Sequence, residues 1–343
     1  MPTPVLSVRD VHKTFPARRD LLGRVTDRVH AVVGASLEVG AGQTVGLVGE
    51  SGSGKSTLGR LVLRLIAPDS GTIVLDGQDI TGLRGRAPSA VRPKMHMVFQ
   101  DPQSSLDPHW VVGDIIAEPL RAQRSMTSGK RELAVRRLLD QVGLAGLSIS
   151  RYAYEFSGGQ RQRIAIARAL ALEPSLVVCD EPVSALDVST QAQVLTLLEE
   201  LQERLGLAYL FIAHDLGVVR HISDVIAVMY LGRIVESGPA DVIYRSPRHP
   251  YTEALVSAIA HPDPAKRRPR IVLQGEVPSP VDPPTGCHFH PRCAYAMDRC
   301  RSTEPELVTY GEVSVACHLH DTGPRLAGAP MTDVSVTLDG PGR

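Results

Sequence analysis

The chain has 343 residues, enough for one large domain with an appendage. Hydrophobic residues make up 43% of it, so it can bury a sizeable core. Its 37 basic and 37 acidic side chains cancel, which argues against a dedicated nucleic-acid-binding protein, because such proteins usually carry a basic excess. No apolar run approaches the roughly 20 residues that span a bilayer, and residues 1–4 do not form a signal-peptide pattern. We therefore expect a cytoplasmic protein that reaches a membrane only through partners.

Short apolar segments bounded by turn residues predict a series of strands. A helical pattern follows residue 54, and helical periodicity also dominates residues 112–156. Strands that alternate with helices predict an α/β fold with a covered, mainly parallel sheet. In chain order the predicted strands are residues 5–8, 31–39, 45–48, 72–75, 95–98, 176–179, 208–213 and 225–230.

The composition changes after residue 245. Residues 1–245 are predicted to form the main unit, and a proline-rich linker leads from it into a small cysteine-bearing module within residues 246–321. Residues 322–343 are rich in Gly, Pro and Asp, which predicts a disordered tail.

Residues 49–57 are the strongest motif, because they match G-x-x-x-x-G-K-[ST] between an apolar strand and a helix. The glycines let backbone N–H groups converge on phosphate oxygens, and the helix N-terminus adds partial positive charge. Lys55 would neutralise the β and γ phosphates, and the Ser56 hydroxyl would ligate Mg²⁺. The predicted nucleotide-binding residues are Gly49, Glu50, Ser51, Gly52, Ser53, Gly54, Lys55, Ser56 and Thr57.

Two acids follow the apolar segment at 176–179, namely Asp180 and Glu181. Ligands of parallel α/β sheets bind at the carboxyl ends of strands, so both acids would face the nucleotide. Asp180 would hold Mg²⁺, and Glu181 would polarise the attacking water as a general base. Alone, such a pair is as often a solvated turn, but beside the glycine loop it predicts ATP hydrolysis.

A second glycine-containing segment, Ser157-Gly158-Gly159-Gln160, precedes a helix predicted from about residue 161 to 172. Backbone amides and a serine hydroxyl at a helix N-terminus form an anion-binding surface. In isolation the same residues also serve as an ordinary helix cap.

In this order and spacing, the motifs resemble those of ABC transporter ATPases over nearly all of the first 245 residues. The resemblance implies a P-loop NTPase core with an antiparallel β subdomain and a helical subdomain at about 112–156. It also implies a head-to-tail dimer in which residues 157–160 of one chain close over ATP and Mg²⁺ held by Lys55 of its partner.

Further site residues follow from the resemblance. Gln100 would sense Mg²⁺ and face the membrane subunits, and His214 would contact the γ-phosphate. Ser184 and Asp187 belong to the loop expected to cross the dimer interface. Phe15 is the candidate aromatic that stacks on adenine. None of the expected catalytic residues is substituted, so we expect a competent ATPase.

The C-terminal region resembles that of oligopeptide and dipeptide importer ATPases. The resemblance is carried by residues 249–252, 275–280, 283–287 and 291–293, together with 101–108. Nickel importers of the same branch share these features, so the cargo stays open between peptides and nickel or another small solute. The resemblance implies a second, related ATPase subunit, two membrane permeases and an extracytoplasmic binding protein. It places the chain at the cytoplasmic face of the membrane.

Four cysteines lie in this region with the spacing Cys-x5-Cys-x6-Cys-x16-Cys, and they are Cys287, Cys293, Cys300 and Cys317. In a reducing compartment such a group indicates metal ligation before disulfides. Zinc ligands usually come in pairs two to four residues apart, so the spacing favours a [4Fe–4S] cluster, which some members of this branch carry, over Zn²⁺ or free thiols. We expect the module to be structural and to pin the tail against the partner ATPase. Histidines that could replace a cysteine ligand are His288, His290, His318 and His320.

Three other functional classes compete with a peptide importer, and the presence of Glu181 and His214 argues against one of them, a non-enzymatic regulatory subunit. ABC ATPases that act on nucleic acids usually carry a long coiled-coil insert, a zinc insertion or two cassettes, and none is predicted here. Exporter motors are often fused to membrane helices, which the sequence also lacks.

Overall fold

The computed structural model describes residues 3–20, 23–83, 91–100, 105–122, 126–144, 149–259, 269–321 and 326–331. Its strands are β1 (Leu6–Arg19), β2 (Val25–Val39), β3 (Thr44–Val48), β4 (Ser70–Leu75), β5 (Gln78–Asp79), β6 (Met95–Val98), β7 (Leu176–Asp180), β8 (Ala208–Ala213), β9 (Val225–Tyr230), β10 (Arg233–Pro239), β11 (Val308–Tyr310) and β12 (Val313–Val315). Its α-helices are α1 (Lys55–Val62), α2 (Val112–Ala122), α3 (Ser128–Gln141), α4 (Gly158–Leu170), α5 (Val188–Leu205), α6 (Leu216–Ile222), α7 (Ala240–Arg245), α8 (Pro250–Ser257), α9 (Asp298–Ser302) and α10 (His318–Asp321).

The larger sheet has the strand order β11-β12-β10-β9-β3-β8-β7-β6. The five strands from β9 to β6 run parallel, and the other three are antiparallel additions at one edge. Strands β3, β7 and β8 are buried at every position. Such strands need cover on both faces, which explains their continuous apolar sequence. The carboxyl ends of β6, β7 and β8 therefore meet at one edge.

A smaller antiparallel sheet of order β2-β1-β4-β5 packs beside the first. Its first strand was predicted at residues 5–8, whereas β1 continues to Arg19 through several register shifts against β2. From His12 to Arg18 the side chains of β1 are half-buried or exposed. The alternation that would mark a strand is therefore absent there, and pairing with β2 defines the element.

The predicted helical segment is α2 and α3, inserted between β6 and β7. Ile115, Ile116 and Leu120 of α2 are buried, as are Leu138 and Leu139 of α3. They belong to the same continuous core as the sheet. The helical insert is thus fixed to the sheet by shared packing.

The cysteine-bearing region, expected as a small module behind a linker, continues the larger sheet in the structure. Strand β12 pairs with β10, with Val315 opposite Glu236, and so extends the larger sheet. Phe289 is buried and belongs to the main core. The apolar side chains of β12 and the ring of Phe289 complete a core that residues 1–245 would leave open.

Part of the predicted disordered tail is packed. Leu326 and Met331 are buried, and the Met331 N–H donates to the carbonyl of Pro247 at 2.8 Å. The expectation of disorder therefore does not hold for residues 326–331, and residues 322–325 and 332–343 lie outside the described residues.

Within the described ranges, none of the helices has the length and apolar character needed to cross a membrane.

Candidate nucleotide site

The loop between β3 and α1 is pressed against neighbouring backbone. Gly54, at the N-terminus of α1, has φ of 102°. A Cβ at Gly54 would lie 2.1 Å from the carbonyl oxygen of Ala31, and one at Gly49 would lie 2.1 Å from that of Met229. Only glycine fits these two positions, because a Cβ at either would clash with backbone. Gly54 also has a left-handed backbone conformation that favours glycine. The loop is thereby held open for a ligand on its other side.

Lys55 is folded onto its own loop. Its Nζ donates to the carbonyl oxygens of Gly49 at 2.7 Å and of Glu50 at 2.9 Å, and the residue is 5% exposed. Burial lowers the pKa of Lys55, while the nearby charges of Glu181, Asp180 and Glu50 act against that shift. A phosphate group would offer this ammonium a stronger partner than two carbonyls.

Asp180 meets the loop from the end of β7. The Ser56 hydroxyl donates to its Oδ1 at 2.9 Å. Asp180 is buried, and burial raises the pKa of its carboxyl. A hydroxyl and a carboxylate in contact are hard oxygen donors, which fits the ligand preference of Mg²⁺.

The neighbouring Glu181 is the centre of a three-residue group. Its Oε2 accepts a hydrogen bond from Gln100 Nε2 at 3.0 Å and lies 3.2 Å from His214 Nδ1. The three residues follow β6, β7 and β8, which are adjacent in the sheet. Glu181 has φ of 48°, a costly conformation for a side-chain-bearing residue, and its N–H is fixed by the carbonyl of Ile212 at 2.8 Å. The structure thus brings together three residues that lie 81 and 33 positions apart along the chain.

Ser157 caps helix α4, which begins at Gly158, three residues earlier than predicted. The Ser157 hydroxyl accepts from the Gln160 N–H at 3.3 Å, and the Gln160 side chain accepts from the Ser157 N–H at 3.0 Å. Both residues are exposed. This capping box leaves a helix N-terminus facing outward.

Ser184 and Asp187 lie between Glu181 and helix α5. The Ser184 hydroxyl donates to the carbonyl of Glu181 at 3.0 Å. Asp187 caps α5 by accepting from the N–H and hydroxyl of Thr190 and from the hydroxyl of Ser189, and these bonds lower the pKa of Asp187, that of Ser189 most. The segment expected at a dimer interface is therefore bonded directly to the expected general base.

Phe15 lies on β1, half-buried and opposite Val29 of β2. The Lys13 ammonium is 5.5 Å from the centre of its ring. Its role in stacking on adenine stays a prediction. Residues 101–104, part of the segment quoted for the importer resemblance, lie outside the described residues.

The four C-terminal cysteines line one small cavity, together with His290 and His318. All four are free thiols. Burial raises the pKa of Cys287 and Cys317, and that of Cys293 to about 12. In the part of the chain that the structure describes, no three His, Cys, Asp or Glu side chains form a ready metal-binding group.

The sequence did not reveal that the C-terminal region touches the phosphate loop. Arg292 forms a bidentate ion pair with Glu50, and the Glu50 N–H donates to the Tyr251 hydroxyl. Both residues lie in stretches that were quoted only for their resemblance to importers. Arg292 and Tyr251 lie more than 200 positions from Glu50, and a local sequence pattern does not predict contacts over such a distance.

Comparison with known proteins decides the family. A model described as ABC transporter matches residues 32–184, and one described as the oligopeptide/dipeptide transporter C-terminal region matches residues 235–300. The chain is 51% identical over 339 residues to a probable peptide ABC transporter ATP-binding protein of Sinorhizobium fredii, covering 98% of this chain and 96% of that protein. The chain belongs to the ABC transporter ATP-binding proteins.

Two further relatives of this ABC ATPase cover nearly its whole length. The oligopeptide transport ATP-binding protein AppF of Bacillus subtilis is 50% identical, covering 92% of this chain and 97% of AppF. The di/tripeptide transport ATP-binding protein DppF of Pseudomonas aeruginosa is 48% identical with the same coverage.

Solved structures confirm the predicted ABC ATPase fold. That of cbiO1 from Clostridium perfringens, part of the ABC transporter complex cbiONQ, has a TM-score of 0.61 and 26% identity, covering 70% of this chain and 90% of that one. The dimeric post-hydrolysis structure of the cassette MJ0796 with ADP and Pi has a TM-score of 0.61 and 27% identity, covering 68% and 98%. The chain is therefore an ATP-hydrolysing transporter subunit.

Proposed function

We propose that this ABC ATPase drives the import of peptides. The observation that carries the proposal is the extent of its similarity to peptide transport ATP-binding proteins, about half of all positions over more than nine-tenths of the chain. The match of residues 235–300 to the oligopeptide/dipeptide transporter C-terminal region supports the same cargo, because the description of that family names peptides. Nickel and other small solutes are the alternative cargo.

The geometry supports in-line hydrolysis at the γ-phosphate. The phosphate loop and Lys55 would hold the triphosphate, and Ser56, Asp180 and Gln100 would hold Mg²⁺, which would neutralise phosphate charge. Glu181 accepts a proton from the water that attacks phosphorus, as the bond to the ADP oxygen breaks. His214, which contacts Glu181, would orient that carboxylate and the γ-phosphate. Most of the rate enhancement on this account comes from positioning and charge.

We propose that the site is completed by a second ATPase subunit. The N-terminus of α4 is exposed at Ser157 and Gln160, and a helix N-terminus is suited to a phosphate. The hydrogen bond from Ser184 to the Glu181 carbonyl would couple binding of the partner subunit to the position of the general base. Further partners are two membrane permeases and an extracytoplasmic binding protein, with the ATPase at the cytoplasmic face of the membrane.

Mutation of the general base tests the catalytic assignment. Glu181→Gln should lose ATP hydrolysis about 100-fold or more, because general-base catalysis is worth about that factor, and should retain ATP binding. Phosphate release and nucleotide binding would be measured on the same purified samples. Hydrolysis at the wild-type rate in Glu181→Gln would contradict the assigned role.

We also propose that Cys287, Cys293, Cys300 and Cys317 bind a [4Fe–4S] cluster, with Zn²⁺ as the alternative. The support is that all four sulfurs line one cavity. Binding requires the thiols to lose their protons, against the raised pKa of Cys293, and to draw together, since the described side chains form no ready metal group. The cluster would supply a structural cross-link across residues 287–317.

Elemental analysis of anaerobically purified protein tests the cluster. Iron and acid-labile sulfide in equal amounts, lost in Cys293→Ser, are the expected result. Stoichiometric zinc would replace the cluster by its alternative, and metal-free protein would leave four bare thiols.

A further inference from the structure

The C-terminal region reaches into the phosphate loop through one ion pair. Arg292 Nη1 lies 2.6 Å from Glu50 Oε2, and Nη2 lies 3.1 Å from Oε1. The side chain of Arg292 is 7% exposed and that of Glu50 is 30% exposed. A two-pronged pair of this kind fixes orientation as well as distance, and its partial burial protects it from screening by salt.

A second contact fixes the same loop residue through its backbone. The Glu50 N–H donates to the hydroxyl of Tyr251 at 2.8 Å. Tyr251 is fully buried, and its ring packs against Tyr230 and Phe289 with centre distances of 4.8 and 5.5 Å. Arg292 therefore holds the side chain of Glu50, and Tyr251 holds its N–H. Both residues lie beyond residues 32–184, which match the ABC transporter model.

The element that presents Arg292 is itself rigid. The 3₁₀ turn His290–Arg292 follows the buried Phe289, and the Arg292 N–H donates to the Phe289 carbonyl at 3.0 Å. The guanidinium lies 6.0 Å from the centre of the Tyr230 ring. An arginine anchored at both ends of its side chain can set the position of the carboxylate it binds.

The charge of Glu50 makes this contact matter for nucleotide binding. A carboxylate in the loop that receives a triphosphate repels the ligand unless it is compensated. Arg292 supplies the compensating charge, and its planar guanidinium binds both carboxylate oxygens. A lysine would supply the charge without this bidentate geometry. Lys55 donates to the Glu50 carbonyl, so movement of Glu50 would also displace Lys55, which is proposed to bind the phosphates.

We propose that Arg292 is a positioning residue of the nucleotide site, holding Glu50 so that the phosphate loop is open and its negative charge is compensated. The inference depends on the proposed role of this loop in binding ATP. It makes the C-terminal region part of the ATPase machinery of its own chain, in addition to any contact with partners.

Nucleotide affinities of three full-length variants test the proposal. Arg292→Ala should weaken ATP binding about tenfold or more, because it leaves a half-buried carboxylate unpaired beside the phosphates. ADP, with less charge, should lose less affinity than ATP. Arg292→Lys should recover part of the loss. The matched control is Arg299→Ala, which removes a half-exposed arginine of the same region that pairs with Asp321 at 3.8 Å and does not contact the loop.

Two results would overturn the proposal. One is an Arg292→Ala protein, folded by circular dichroism, that binds ATP as tightly as Arg299→Ala does. The other is an equal loss of ATP and ADP affinity that lysine does not recover, since this indicates a merely structural role. Lys55→Ala distinguishes the underlying assumption, because unchanged ATP affinity in that variant would mean that the loop itself is not the nucleotide site.

Discussion

At the scale of single residues, the predicted role of His214 depends on its contact with Glu181. His214 is 57% exposed on its side chain, yet it lies against the Glu181 carboxylate, which is mostly buried. A histidine after a strand is more often structural than catalytic. The convergence of His214 and Gln100 on one carboxylate oxygen of Glu181 supports the predicted catalytic role of His214.

We predict that His214→Ala lowers the turnover number about 100-fold and leaves ATP affinity nearly unchanged, because the contact acts on the reacting end of the nucleotide. The control is His221→Ala, which removes an exposed histidine that lies 4.0 Å from Glu199 and away from the site. Steady-state hydrolysis and nucleotide titration measure the two quantities. Equal activity of the two variants would contradict the role of His214.

A buried carboxylate away from the site predicts a pH effect on stability. Glu236 is 0% exposed and accepts from the N–H groups of Arg248 and His249 at 2.7 and 3.0 Å. Burial raises the pKa of Glu236 from 4.5 to about 7, although these bonds act against the shift. The folded state therefore binds the proton more tightly than the unfolded state, and stability falls as the pH rises from about 4.5 to about 7.

Glu236→Gln removes this titration and keeps a hydrogen-bond acceptor. The free energy of unfolding of wild type should fall relative to that of the variant by about 3 kcal/mol between pH 4.5 and 7.5, since one pKa unit corresponds to about 1.4 kcal/mol. Denaturant titrations of both proteins across this range measure the difference. A gap that does not vary with pH would show that Glu236 keeps its ordinary pKa.

At the scale of elements, the parallel strands could be predicted, whereas β5, β10, β11 and β12 were missed. Strands β8 and β9 match the predicted bounds because strands with buried faces are uninterrupted apolar runs. Residues 9–19 of β1 were missed, because this part of the strand is defined by its pairing with β2 and shows no apolar alternation in the sequence. The start of α4 was misplaced although Ser157 and Gln160 form a capping-box pattern that was visible in the sequence.

Two adjacent glycines in α4 give an element-scale prediction. A Cβ at Gly159 would lie 2.4 Å from Thr190 Cγ2, whereas one at Gly158 would lie 3.4 Å from Leu186 Cδ2. Gly159→Ala should lower the free energy of unfolding by about 1–3 kcal/mol through overpacking against α5. Gly158→Ala should be neutral or stabilising by up to about 1 kcal/mol, because alanine favours the helix.

Denaturant unfolding of these two variants is the measurement. The shift of Thr190 in Gly159→Ala also strains its bonds to Asp187, so the predicted interface loop should be disturbed in that variant alone. Equal stability of both variants would mean that α4 and α5 are less closely packed at this point than the structure shows.

At the scale of the whole molecule, the motifs of the candidate ATP site could be recognised because each lies in one short segment, and the roles assigned to their residues stay predictions. Gln100 and His214 were predicted from the family resemblance, and their contacts with Glu181 are explained by the meeting of strand ends at one edge of a parallel sheet. The C-terminal region could not be placed. Its attachment depends on the pairing of β12 with β10 and on the Arg292–Glu50 contact, and neither leaves a periodic signal.

The central claim is that ATP hydrolysis by this chain powers peptide uptake, and transport in cells lacking the chain tests it most directly. Uptake of labelled dipeptides, longer peptides and nickel would be compared after complementation with wild type or Glu181→Gln, produced in equal amounts. We predict that wild type restores uptake of peptides and not of nickel, and that Glu181→Gln restores neither. Peptide uptake that Glu181→Gln restores fully, or that does not depend on the chain, would contradict the account.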